Sequence, residues 1–292
     1  MKVTYYPGCS LESGSKEYLS SLLEVCERLG IKANELEDWN CCGATSAHSL
    51  DGRLSIDLPA RNLMLASRSG GPLLVPCAAC YNRQKTAAVT LAANAAAKAE
   101  VEQRLGSAFG AEVQVQNILG FFGDKLDLIR DKIGNPLTGL RVVCYYGCLL
   151  TRPPSISGET DYEDPHAMDD ILLALGATPV AWSYKTECCG ASLAIARSEI
   201  VVKLIARILE AAVAAKAQAV VTACPLCQMN LDTRQREAEA LMSQEYAMPI
   251  VFVSELMAAA LGSDRLRAYF RRHFVDPTAV VMQPERPPVG TQ

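Results

Sequence analysis

The chain has 292 residues, half of them hydrophobic, with 28 basic against 32 acidic side chains and a formal charge of −4. That length suits two ordinary domains or one large α/β unit, and the charge balance gives no argument for nucleic acid or for an anionic membrane surface. The start, "MKVTYYPGC", has no apolar run behind its lysine, and no stretch of about 18 uncharged apolar residues occurs. No signal peptide and no membrane span are expected, and a cytoplasmic protein is.

In chain order, "KVTYY" predicts a strand. "KEYLSSLLEVCERLG" predicts an amphipathic helix with Leu19, Leu22, Leu23, Cys26 and Leu29 on one face and Gly30 at its end. "NELED" predicts a weak strand, "LPARNLMLASRSGG" a helix with a glycine stop, "PLLV" a short buried strand, and "YNRQKTAAVTLAANAAAKAEVEQRL" one long helix. "EVQVQNILGFFG" adds a β-rich run and a helical face, and a boundary falls near "NPLTG" at 135–139. The second half then runs through the same series. "LRVVCYY", "TPVAWSY" and "AVVTA" predict strands; "HAMDDILLALGA", "SEIVVKLIARILEAAVAAKA" and a segment from about Leu226 predict helices; "PIVFVSELMAAALG" repeats the closing pattern. Alternating strands and helices predict parallel α/β layers with right-handed crossovers. The expected fold class is α/β, two pseudo-symmetric domains, each a small parallel sheet flanked by helices, over 1–138 and 139–275, with a tail over 276–292.

The repeat is sharpest in the cysteines, of which there are twelve. Cys9, Cys41, Cys42, Cys77 and Cys80 read C-x31-CC-x34-C-x2-C; Cys148, Cys188, Cys189, Cys224 and Cys227 read C-x39-CC-x34-C-x2-C. One insertion accounts for the longer gap. It lies in "LLTRPPSISGETDYEDP", 149–165, a loop by composition. Each set follows the first three strands of its half, and its last pair opens a helix. Open parallel sheets bind ligands beyond the carboxyl ends of their strands, so five thiols of each half are expected to converge there. Helix N-termini suit an anionic thiolate-ligated group. Gly43 and Gly190, each closing a CCG tripeptide, permit a backbone that a side chain would resist. Cys26 and Cys144 stand outside the pattern and read as packing residues.

Clustered cysteines in a reducing compartment point to metal or redox chemistry. Zinc takes four ligands, whereas each set offers five. A disulfide relay would use the C-x2-C pairs, yet nothing like a thioredoxin frame surrounds them and five is an odd number for pairing. Iron–sulfur clusters fit best, since thiolates hold them.

This double motif resembles the CCG-domain signature, and from Cys9 to Cys227 the chain is similar to the family of heterodisulfide reductase B subunits. It has no C-x2-C-x2-C-x3-C-P run, so no ferredoxin clusters of its own are expected. The resemblance implies two [4Fe–4S] clusters of non-cubane type facing each other across the domain interface. Cys9, Cys41, Cys42, Cys77 and Cys80 would ligate one, and Cys148, Cys188, Cys189, Cys224 and Cys227 the other. It implies an oxidoreductase reducing a small disulfide to two thiols, or the reverse, one electron arriving from each side. It also implies partners: a ferredoxin-like iron–sulfur subunit of the C type and, through it, a flavin subunit of the A type. No flavin or nicotinamide motif is found in this chain. The alternatives are a non-catalytic electron-transfer subunit and a zinc-stabilised structural module.

Other residues enter as helpers. His48, His166 and Lys185 are candidates for supplying protons; His273 lies in the basic run "RLRAYFRRHF". Tyr6 and Tyr146 precede Cys9 and Cys148 at matching places and read as packing tyrosines. Lys185 and Arg152 are candidates for meeting an anionic group of the substrate, against a solvated surface role.

Overall fold

The computed structural model describes residues 1–44 and 47–282. Two four-stranded sheets form, every neighbouring pair parallel. The first takes β1 (Lys2–Tyr5), β2 (Lys32–Glu35), β3 (Leu73–Leu74) and β4 (Val115–Gln116) in the order β2-β1-β3-β4. The second takes β5 (Arg141–Tyr145), β6 (Thr178–Pro179), β7 (Ala219–Thr222) and β8 (Ile250–Phe252) in the order β6-β5-β7-β8. Thr4 pairs with Leu73 in one sheet and Val143 with Val220 in the other, so the registers are equivalent too.

The α/β reading holds, with three local corrections. Asn94 ends the expected long helix: its side chain accepts from Ala97 N at 3.0 Å and caps a new helix, so the segment divides into Ala78–Ala93 and Ala95–Leu105. The strand expected over 34–38 lies earlier, at Lys32–Glu35, because Lys32 N–H already donates to Met1 O at 2.8 Å and Asp38 turns the chain with φ +55°. The strand expected over 178–184 shrinks to Thr178–Pro179 at the sheet edge, a place that tolerates proline because Thr178 and Val180 supply the N–H groups that reach β5. The expected tail begins with a short helix, Thr278–Val281, which buries Val281 and packs on the helix Leu266–Phe270.

The two lobes exchange their surfaces. The helix Lys16–Arg28 of the first lobe packs on Val253–Ala260 and Leu266–Phe270 of the second. In reciprocal fashion, Ala167–Ala174 of the second packs on Ile118–Gly123 of the first. One contiguous apolar core therefore runs through both sheets. Tyr18 stacks on Phe252 with centroids 4.1 Å apart and planes 3° from parallel, a pairing worth about 0.5–1.5 kcal/mol beyond burial. Glu24 gathers Arg28, Ser263 and Tyr269 across the same seam. No helix among the described residues is long and apolar enough to cross a membrane.

Candidate metal centre

Both CCG tripeptides form the same turn. Gly43 has φ +73° and Gly190 φ +77°, a region that disfavours any residue with a Cβ. Their N–H groups donate back to the first cysteine of the pair, Gly43 to Cys41 Sγ at 3.5 Å and Gly190 to Cys188 Sγ at 3.3 Å. A tyrosine at the end of the first strand ties down each turn. Tyr6 Oη donates to Asn40 O at 2.8 Å and Tyr145 Oη to Glu187 O at 2.6 Å, each to the residue before the pair. The structural match of Tyr6 is thus Tyr145, not Tyr146. Aligning "VTYYPGC" and "VVCYYGC" on their final cysteines gives that pairing. Tyr146 serves the helix that follows the insertion instead, donating to Asp169 Oδ2 at 2.6 Å and accepting from Met168 N.

The C-x2-C pairs leave β3 and β7 and start helices. Cys77 and Cys224 are the N-caps of Ala78–Ala93 and Pro225–Thr233, and proline at the first helical position of the latter forfeits only an N–H that has no partner there. Cys42 Sγ stands 3.2 Å from Cys80 Sγ, and Cys189 Sγ 3.7 Å from Cys227 Sγ. Cys148 Sγ is 3.9 Å from Cys188 Sγ. In both lobes a CCG thiol thus meets a C-x2-C thiol, and in the second lobe the Cys148 turn also joins the CCG turn. All twelve cysteines are free thiols. In the first lobe Cys42, Cys77 and Cys80 are buried while Cys9 and Cys41 are exposed; in the second, Cys189, Cys224 and Cys227 are buried, Cys188 is exposed and Cys148 half-buried.

Neighbouring donors make some of these thiols acidic. Cys42 is pulled down to about 3 by hydrogen bonding with the Cys41 and Cys80 thiols, against the opposing effect of burial. Cys188 falls to about 6, through the Cys148 thiol and the Gly190 N–H against the pull of burial. Cys224 is lowered by the Cys227 thiol and, against burial, by N–H groups that include that of Ala78 from the other lobe. Tyr18 closes the seam between the two C-x2-C turns: its hydroxyl lies 3.1 Å from Pro76 O and 3.2 Å from Ala223 O.

These residues fit a polynuclear thiolate-ligated group. Two glycines that the spacing did not single out leave room for one. A Cβ on Gly8 would lie 3.0 Å from Cys80 Sγ, and one on Gly147 would lie 3.1 Å from Cys227 Sγ; both glycines have positive φ. Their signal was the Gly that precedes Cys9 and Cys148 alike. Among the described residues, no group of three or more His, Cys, Asp or Glu is arranged to hold a single metal ion.

The helper residues separate. Lys185 is buried rather than solvated: its Nζ lies 2.8 Å from Asp164 Oδ1, 3.2 Å from Asp169 Oδ1 and 3.0 Å from Pro165 O. Its carbonyl accepts from Tyr146 and Gly147 N–H, which fixes the CCG turn against the Cys148 turn. His166 is exposed, 3.6 Å from Asp164. His48 lies on the short helix Ala47–Leu50, and its side chain is outside the described residues. His273 is buried, with Nε2 2.9 Å from Glu255 Oε1. Arg152 Nη2 donates to Thr186 Oγ1 at 3.1 Å. Cys26 and Cys144 are buried away from the two groups, on a helix face and within β5.

The insertion crosses to the first lobe. Tyr81 Oη donates to Ser157 O at 3.2 Å and Asn82 Nδ2 to Arg152 O at 3.1 Å. Between them lies a cavity of about 210 Å³ lined by Tyr81, Asn117, Tyr146, Thr151 and Glu159, among others.

Comparison with known proteins matches the cysteine-rich domain called CCG twice, over residues 3–84 and 142–232. The 8-methylmenaquinol:fumarate reductase membrane anchor subunit of Wolinella succinogenes is 30% identical over 94% of this chain and 97% of its own length. The B subunit of the ferredoxin:CoB-CoM heterodisulfide reductase of Methanosarcina mazei is 26% identical, covering 89% of each chain. A Helicobacter pylori protein of solved structure shares the fold with a TM-score of 0.74 at 11% identity; the match covers 94% of this chain and 52% of that one.

Proposed function

Because the chain belongs to the family of CCG cysteine-rich-domain proteins and carries that domain twice, we propose that it reduces a small disulfide to two thiols, or runs the reverse, between two non-cubane [4Fe–4S] clusters. The coarser role, an iron–sulfur redox subunit of an oxidoreductase complex, is what the relatives and the thiol sets together support. Cys9, Cys41, Cys42, Cys77 and Cys80 hold one cluster, and Cys148, Cys188, Cys189, Cys224 and Cys227 the other. The observation that carries this reading is the duplication: two complete five-cysteine sets in equivalent places of the sequence, each with a CCG thiol against a C-x2-C thiol, some members buried and others open to solvent.

When bound, such clusters supply electrons and Lewis-acid iron to a sulfur substrate. The protein's own residues supply position. The buried C-x2-C turns exclude water, while Cys9, Cys41 and Cys188 are open to solvent, the side from which a substrate approaches in this reading. Tyr6 and Tyr145 hold the CCG turns at fixed distance from the first strands. Of the proton-donor candidates, His166 is exposed, whereas Lys185 is committed to two carboxylates. The chain works in the cytoplasm and receives electrons from a ferredoxin-like protein that a flavoprotein supplies in turn.

A second reading has its own support. The identity to a protein named as the membrane anchor of a fumarate reductase, over nearly the full length of both chains, favours an electron-transfer role without substrate chemistry. Anaerobic purification with iron and sulfide counts tests the clusters: about eight irons per chain are expected for two four-iron clusters. EPR during thiol addition then separates the readings. A thiol that changes the spectrum supports sulfur chemistry, and a spectrum indifferent to thiols and disulfides leaves electron transfer alone. Deleting 153–160 from the insertion is expected to keep both clusters and alter disulfide turnover or partner affinity; unchanged values for both would make the insertion a surface excursion.

A further inference from the structure

Few buried polar side-chain atoms among the described residues lack a hydrogen-bond partner: Gln84 Nε2 and Oε1, Thr151 Oγ1, Thr222 Oγ1 and Tyr246 Oη. Gln84 differs from the rest, since its side chain is wholly buried and both ends of its amide are unmet. A buried amide without partners costs about 1–3 kcal/mol. Such a group calls for something other than polypeptide to meet it.

Its position says what. Gln84 lies on the helix Ala78–Ala93, four residues after Cys80 and seven after Cys77. Residues at that spacing share a helix face. Helical side chains also lean toward the N-terminus of their helix and cover the preceding turn. The amide is thus directed toward the helix end that carries the first lobe's C-x2-C pair. The equivalent residue of the second lobe, 147 positions on like the cysteines, is Leu231, equally buried but apolar. Of the second lobe's unmet hydroxyls, Thr222 Oγ1 sits on the strand, where the first lobe has Val75.

We propose that Gln84 Nε2–H donates a hydrogen bond to a sulfur of the iron–sulfur cluster held by Cys9, Cys41, Cys42, Cys77 and Cys80, and so raises the reduction potential of that centre. The inference rests on the cluster assignment made above. Sulfur in such a cluster accepts hydrogen bonds but donates none, so it satisfies the N–H end; an unmet carbonyl oxygen is the more readily tolerated of the two. Donors to cluster sulfurs stabilise the more electron-rich reduced state, which is how hydrogen bonding sets cluster potentials. The two lobes, alike in their thiols, thereby hold centres of different potential.

The test is a redox titration of the anaerobically purified holoprotein, followed by EPR, with the first-lobe signal identified as the one lost in Cys42→Ser. Gln84→Leu copies the residue that the second lobe carries at this place. It is expected to keep its iron, move the first-lobe midpoint to lower potential and leave the second-lobe midpoint where it was. Pulsed EPR on protein labelled with ¹⁵N in the glutamine amide is expected to show nitrogen coupling to the first-lobe signal, absent in Gln84→Leu. An unmoved first-lobe midpoint at full iron content overturns the proposal. So does a first-lobe shift of the same size in Thr222→Val. Should Gln84→Leu lose iron, the nitrogen coupling in the unsubstituted chain decides, and its absence overturns the proposal. An unsubstituted chain without iron at the first-lobe thiols would defeat the cluster assignment instead, which keeps the two failures apart.

Discussion

The two lobes share every feature that positions a thiol and differ in most of what surrounds the thiols. Strand order, register, the left-handed CCG glycine, the tyrosine brace and the helix-opening C-x2-C occur twice. The surroundings do not. Asp38 of the first lobe forms an exposed pair with Arg61, where the second lobe has Lys185 buried between two aspartates. The helix after β4 is capped by Asn117, whose side chain accepts from Gly120 N; the helix after β8 is capped from inside, by Glu255 reaching back to Phe252 N. The other oxygen of Glu255 then holds His273, which has no counterpart in the first lobe. The turns that hold the thiols are the part that repeats. The shell outside it is free to differ, and electrostatic difference between two like sites arises there.

The sharpest way to break the comparison is to remove one site. Cys42→Ser is expected to lose the first-lobe cluster, about half of the iron by the stoichiometry of two equal four-iron clusters, and to leave the second-lobe EPR signal intact. Full iron retention in that variant would sink the five-ligand assignment; loss of all iron would show that the lobes assemble together.

The next expected effect centres on a residue of the second lobe, His273. Burial opposes a charge on His273, but Glu255, then Asp232 and Glu17, outweigh it and raise its pKa from 6.5 to about 9. A value raised on folding stabilises the native state fully below the unfolded value near pH 6.5, and that contribution disappears as pH rises through about 9. Its size is on the order of 3 kcal/mol, from 1.36 kcal/mol per unit. Urea unfolding between pH 6 and 10 should show this fall, and His273→Gln should flatten it. An equal fall in both proteins would assign the pH dependence elsewhere.

Gly8→Ala and Gly147→Ala test whether the cradles are equivalent. Each adds a Cβ 3.0 or 3.1 Å from a C-x2-C sulfur, closer than ordinary van der Waals contact, on a left-handed backbone. Each is expected to cost about 2 kcal/mol, from backbone strain together with overpacking, and to weaken iron retention in its own lobe only. Iron counts after mild chelation would reveal a cross-effect. The smallest effect is that of Cys26→Ala: both clusters kept, and about 1–2 kcal/mol of packing lost from the first-lobe helix. Iron loss there would mean that the unpatterned cysteines are not bystanders.

Much of the site was legible because a repeated gap of 34 residues between CC and C-x2-C carries its own internal control. Strand and helix alternation followed from local apolar periodicity, which reports burial of one face. One misreading lies where a single residue overrides a pattern, at Asn94, whose side chain restarts a helix within an alanine-rich run; another lies at a sheet edge, where β6 pairs with β5 alone and stops at Pro179. The tyrosine pairing slipped by one residue because "YY" occurs in both halves and only the hydroxyl's partner tells the two rings apart.

By itself the sequence determined the ten thiols, their division into two sets, the glycines of the CCG turns and the parallel α/β layers, since each of these rests on short-range spacing. Only the tertiary structure decided what lies against what. Tyr18 bridges to Ala223 across 205 positions of sequence, Lys185 turns from a surface lysine into a buried brace, and Gln84 becomes an amide with no partner of its own. The reason is physical: periodicity says which face of an element is apolar, whereas the neighbour that meets a polar group on that face comes from another element, and no local pattern encodes it.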